Sequence, residues 1–292
     1  MKIKLLITML LFAACTFAQH NSSYSQYMFN GLLLNPAYAG SNDALNLTAL
    51  YRKQWLGLDG SPTTVTFSGH MPLKNKKINL GALIMSDKFG VSEHNKLNAI
   101  YAYRIRLLKG EFSFGLAAGI DVFKANWDQV KTTQLRDPSF TVNSDIKILP
   151  QAGCGVYYYR PRFYMGVSIP SLFENEFNKY QTSIFNTGFV ADVSENFKIK
   201  PAVLLKYVLN SPVDINLSST FYWKNVLGLG LGYTINGICM AYMDLRVNDQ
   251  LRVGYSYDYI FNELRNYSTG SHEIMLRYLF RYKIKVSSAR YF

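Results

Sequence analysis

The stretch Val213–Lys224 reads VDINLSSTFYWK, and its residues switch between apolar and polar at nearly every step. Val213, Ile215, Leu217, Ser219, Phe221 and Trp223 share one face, and Asp214, Asn216, Ser218, Thr220, Tyr222 and Lys224 share the other. A period of two is the period of a strand, because successive side chains point to opposite sides. The pattern returns from Leu251 to Phe261, where Leu251, Val253, Tyr255, Tyr257, Tyr259 and Phe261 oppose Arg252, Gly254, Ser256, Asp258 and Ile260. It returns again from Ile274 to Lys283, where Ile274, Leu276, Tyr278, Phe280 and Tyr282 oppose Met275, Arg277, Leu279, Arg281 and Lys283. A soluble sandwich also alternates, so the pattern establishes strands before it establishes a membrane.

Working outward, fourteen strands are expected at 44–51, 63–71, 78–86, 96–107, 111–123, 150–159, 162–168, 183–193, 197–207, 213–224, 226–234, 238–246, 251–261 and 271–283. The even count suits a single-chain outer-membrane barrel. The connections add a second argument. After even-numbered strands they are short, as at 108–110, 160–161, 194–196 and 247–250; after odd-numbered strands several are long, at 52–62, 87–95, 124–149, 169–182 and 262–270. Such barrels carry short periplasmic turns and longer outer loops. The connections after the ninth and eleventh strands are short and do not follow this parity. The expected fold is therefore an all-β antiparallel transmembrane barrel of about fourteen strands, with both termini in the periplasm.

Residues 1–18 read as an export signal, with Lys2 and Lys4, an apolar run from Leu5 to Ala14, and Thr16-Phe17-Ala18 before Gln19. The run is too short for a membrane-spanning helix, which needs roughly 20 residues. Cys15 raises a lipoprotein alternative that Phe12 fits poorly. The expected domains are a signal at 1–18, a periplasmic N-terminal stretch at 19–43, and a barrel with a C-terminal tail at 44–292. Within the second, Asn35-Pro36 marks a turn. The stretch lines the lumen or lies under the barrel mouth, and the sequence leaves both open. Losing Lys2 and Lys4 lowers the formal charge of +12 by two. The remaining basic residues are spread over the strands, so the excess is no nucleic-acid signal. Cys154 and Cys239 read as small apolar fillers rather than a disulfide. The 22 Tyr and 19 Phe suit aromatic girdles as well as ordinary strand propensity.

Few motifs carry chemistry. The four histidines, His20, His70, His94 and His272, have no zinc-ligand spacing, and there is no nucleophile elbow. Ser68 and His70 share a face with Thr64 and Thr66, which fits a polar lumen row better than a catalytic pair. Gly228, Gly230 and Gly232 lie within an alternating strand with no helix behind them, so they are no phosphate loop. Arg104, Arg106, Lys198, Lys200, Lys206, Arg246, Arg252, Arg277 and Arg281 fall on the expected inner face, with Asp121, Asp214, Asp244, Asp258 and Glu273. They make either a basic channel or an ion-pair network that fills it. No catalytic, cofactor-binding or metal-binding residue is expected. Arg52, Gln54 and Trp55, in a turn closed by Gly57, Gly60 and Pro62, are the expected partner-binding residues.

Several of these segments together resemble the PorP/SprF family of outer-membrane proteins of the type IX secretion system. They are 26–30 (QYMFN), 34–41 (LNPAYAGS), 51–57 (YRKQWLG), 157–159 (YYY), 248–255 (NDQLRVGY), 272–276 (HEIML) and the terminal 290–292 (RYF). Gly31 departs from the pattern, which has proline there. The resemblance implies a non-enzymatic barrel in the outer membrane of a Bacteroidetes-type bacterium, without cofactor. It further implies export or surface anchoring of adhesin-type cargo, gliding adhesins among them, and contact with periplasmic components of the secretion machinery. A passive porin is the alternative.

Overall fold

The computed structural model describes Tyr27, 30–127, 145–173, 180–261 and 263–280. The expected signal Met1–Ala18 and the tail after Phe280 lie outside the described residues. Fifteen strand segments follow one another: β1 (Leu45–Lys53), β2 (Thr63–Pro72), β3 (Ile78–Phe89), β4 (Ser92–Leu107), β5 (Gly110–Ala125), β6 (Lys147–Arg160), β7 (Phe163–Ile169), β8 (Thr182–Phe189), β9 (Ala191–Asp192), β10 (Phe197–Val208), β11 (Asp214–Trp223), β12 (Leu227–Thr234), β13 (Ile238–Arg246), β14 (Leu251–Ile260) and β15 (Ser271–Phe280). Each pairs antiparallel with the next along the chain, apart from β8 and β9, which both pair with β10, and β1 also pairs with β15, so the sheet closes on itself. Segments β8 and β9 form one strand in unbroken register, Gly188 facing Ala202 and Ala191 facing Ile199. The gap at Val190 lies beside Pro201, which has no N–H for the ladder. The result is a closed fourteen-stranded barrel, and the expected fold class stands.

Closure matters because a sheet edge would leave backbone groups unpaired in hydrocarbon. The outer surface is correspondingly apolar: Leu116 is 60% and Leu231 68% exposed, rows that water would disfavour and lipid accepts. Exposed Tyr51, Tyr207 and Tyr233 sit toward one end of the barrel; Phe197, Trp223 and Phe280 sit toward the other. These are the two aromatic girdles of a membrane barrel. Cys154 and Cys239 are unpaired, at outward positions of β6 and β13. Among the described residues no helix is long and apolar enough to cross a membrane, a test that says nothing of strands.

The two ends differ. The turn end carries the connections 73–77, 108–109, 161–162, 193–196, 224–226 and 247–250. Two of them place consecutive residues at positive φ, Leu108 (47°) with Lys109 (61°) and Lys224 (47°) with Asn225 (56°). That is the backbone of tight hairpin turns, whose twist matches the strands they join. The loop end carries 54–62, 126–146, 170–181 and 261–270. One expected long loop is not there. At 87–95 the strands continue, and β3 meets β4 through Gly90 and Val91 alone, with Gly90 at φ 57°. Asp87, Lys88, Glu93 and His94 lie at the loop-end tip of this hairpin, where no lipid enforces an apolar outer row.

This hairpin belongs to a tall part of the wall. Strands β4 and β5 are sixteen residues long, and β6 starts seven residues beyond its last pairing with β7, Cys154 with Ile169. The N-terminal segment fills the space inside. Tyr27 and Asn30–Ser41 are almost all buried, through two 3-10 turns at Gly31–Leu33 and Pro36–Tyr38. The second turn packs against β4, β5 and β6.

Candidate functional site: a filled lumen and its vestibule

The lumen wall is built from the inward rows of the strands. Those rows mix polar and charged side chains with apolar ones, and several of the charged groups form ion pairs. The Arg52 guanidinium lies 2.6 Å from Asp258 and 2.9 Å from Glu273, all three buried. Arg104 is 2.8 Å from Asp43 and donates to the Tyr159 hydroxyl at 2.7 Å. Arg252 pairs with Asp244, and Lys200 and Arg277 stand in electrostatic reach of that carboxylate. Three inward glycines of β12 leave room for rings from the neighbouring strands. A Cβ on Gly230 would sit 2.0 Å from the Tyr242 ring, and one on Gly228 would sit 2.9 Å from Tyr222. The Gly228–Gly232 run is thus a seat for two tyrosines and a methionine, with no phosphate-loop geometry.

The inserted segment is fastened along its length. Tyr27 reaches Ser218 and Asn216 on β11, at 3.2 and 3.3 Å. Ser68 donates to Asn30 at 3.1 Å, and the Gly40 amide donates to Nδ1 of His70 at 3.0 Å. Ser68 and His70 are therefore fasteners of this segment. Asn35 acts twice. Its side-chain oxygen accepts from the Ala37 amide at 2.9 Å, capping the Pro36–Tyr38 turn; its amide donates to the Val156 and Val167 carbonyls at 2.9 and 3.2 Å. Pro36 suits the first position of the turn, where no N–H is needed. Tyr38 then packs edge-on against Tyr157 and His70, with centroids at 5.5 and 5.4 Å.

The wall is cut to receive the turn. A Cβ on Gly115 would lie 2.0 Å from the Ala37 nitrogen, and one on Gly155 would lie 2.2 Å from the Asn35 oxygen. No side chain larger than hydrogen fits either position with the segment in place. Sequence reading missed these two glycines. The signal was present as glycine at inward positions of consecutive strands, but its meaning depends on what lies across the lumen.

Above the segment, toward the loop end, a cavity of about 700 Å³ remains. Leu32, Leu33, Leu34 and Pro36 floor it, and Leu83, Met85, Ile100, Ile184 and Leu204 form its lower wall. Leu33 is partly buried and packs on the apolar core at this floor. Higher up, Asp121 lies 3.6 Å from His94 and 3.9 Å from Lys96, and His94 stacks on Phe123 at 4.1 Å.

The expected partner residues separate. Arg52 and Gln54 are buried, whereas Trp55 is half-buried in the 54–62 loop at φ 48°, its amide donating to Ser271 at 3.2 Å. Of the expected inner-face charges, Arg106 is largely exposed beside Glu111, and Arg281 lies outside the described residues. Among the described residues no cluster of His, Cys, Asp or Glu could hold a metal ion.

Comparison with known proteins agrees with the architecture. The Omp33 outer-membrane protein of Acinetobacter baumannii matches with a TM-score of 0.51 at 9% identity, over 82% of this chain and 98% of that one. The CymD monoaromatic hydrocarbon channel matches with a TM-score of 0.50 at 11% identity, over 91% of this chain and 95% of that one. At these identities the likeness is one of fold. No curated protein matches the sequence. The model for the type IX secretion system membrane protein PorP/SprF matches residues 16–278, nearly the whole barrel together with the segment inside it, and the chain belongs to that family.

Proposed function

We propose that this outer-membrane protein of the type IX secretion system serves the export or surface anchoring of a cognate adhesin-type protein, without enzymatic activity of its own. The observation that carries this reading is the filled lumen. Residues 30–41 and the ion pairs around them occupy the path a solute would take, so recognition moves to the ends of the barrel. The long connections then lie at the cell surface and the tight turns face periplasmic components of the machinery, as in other outer-membrane barrels. Gliding adhesins, a Bacteroidetes-type host and removal of residues 1–18 on export belong to the same reading. Of the three expected contact residues, Trp55 is the one the loop offers to a partner, while Arg52 and Gln54 hold the loop from below.

Deleting the gene should abolish surface display of one adhesin while general secretion continues, measured by surface biotinylation and mass spectrometry. Unchanged display of every surface protein would overturn the reading. The basic residues of the inner wall favour a second reading, a passive channel, which steady conductance of the purified protein would distinguish.

A further inference from the structure

The cavity above the inserted segment has an apolar base and a charged upper wall. Among the described residues its lining includes four carboxylates, Asp87, Glu93, Asp121 and Asp145, and four lysines, at 96, 124, 147 and 206. Equal numbers of the two signs give no preference for an anion or a cation. Asp121 is engaged by His94 and Lys96, but the wall as a whole still sets acceptors beside donors, which is what a neutral polypeptide backbone needs. The base itself is aliphatic, with Leu33 presented upward from the segment. The volume of about 700 Å³ suits a ligand of a few residues, since binding pockets usually span roughly 300–1,000 Å³.

We propose that this vestibule is the socket for a short polypeptide segment of the exported partner, entered from the loop end, with aliphatic side chains on the Leu32–Leu34 floor. The proposal rests on the secretion reading above and adds the place of contact. The floor is part of the chain's own inserted segment, so an occupied socket bears on that segment directly.

The test uses the full-length protein in cells, with the photoreactive residue benzoylphenylalanine in place of Leu33. Irradiation of intact cells followed by mass spectrometry should give adducts with the surface protein that the deletion strain fails to display. Their yield should be at least tenfold that of the same probe at lipid-facing Phe67. Leu33→Asp, which sets a charge on the apolar floor, should lower display of that protein at least tenfold while the barrel keeps its heat-modifiable gel mobility. Adducts only with lipid or with the chain itself, or no adducts, would overturn the socket, as would wild-type display by Leu33→Asp. If deletion abolishes display while both socket tests are negative, the secretion reading stands and the socket falls. If deletion leaves display intact, the secretion reading falls first.

Discussion

Arg52 sits between Asp258 and Glu273, on strands that arrive from the far end of the chain. The forked guanidinium addresses both carboxylates at once, which a single ammonium cannot do. Removing it would leave two buried carboxylates without their cation. Arg52→Met is therefore expected to destabilise the barrel by about 3–5 kcal/mol, the usual cost of breaking one side of a buried pair. Arg52→Lys should recover part of that loss. Urea unfolding in lipid vesicles, followed by tryptophan fluorescence, measures both. A loss below about 1 kcal/mol for Arg52→Met would mean that the ion pairs add little to holding β1 against β14 and β15.

At the scale of elements, the inserted segment decides whether the barrel conducts. Wild-type protein in planar bilayers is expected to be silent. A chain lacking residues 27–41 should pass a steady current, and so should Gly115→Val, whose side chain takes the place of Ala37. Gel mobility of unheated samples checks that each barrel has folded. A silent deletion variant would show that the remaining side chains block the lumen unaided. Legibility in the sequence follows the same division. Lipid imposes an apolar outer row on every strand, so β11, β14 and β15 were plain from alternation alone. Above the membrane that constraint ends, which is why Asp87 to Asn95 passed for a loop although they continue a hairpin. The inserted segment has no period to read. The sequence marked a turn at Asn35-Pro36 but could not say that two distant glycines receive it. Ser68 and His70 were rightly read as polar lumen residues; what they hold is visible only once the segment is in place. Arg52 was read as a partner contact beside Trp55, because the carboxylates it meets lie more than 200 residues away.

At the scale of the whole molecule, the asymmetry between the ends fixes an orientation that can be tested directly. A cysteine introduced at Leu56, exposed in the 54–62 loop, should react with a membrane-impermeant maleimide on intact cells. One at Leu108, exposed in the tight turn at the opposite end, should react only after the outer membrane is permeabilised. The reverse pattern would invert the barrel in the membrane. The family match and the closed sheet together account for why so long a chain buries so many polar residues. In a water-soluble protein the core is apolar and the surface polar; here the lipid reverses the outer half of that rule, and the lumen accepts the charges. The tall wall from β3 to β6 has one more effect. A level rim would let a visitor arrive at any rotation about the barrel axis. A rim raised on one side gives the molecule a compass bearing, so whatever comes to the mouth is met from one direction and turned to face another.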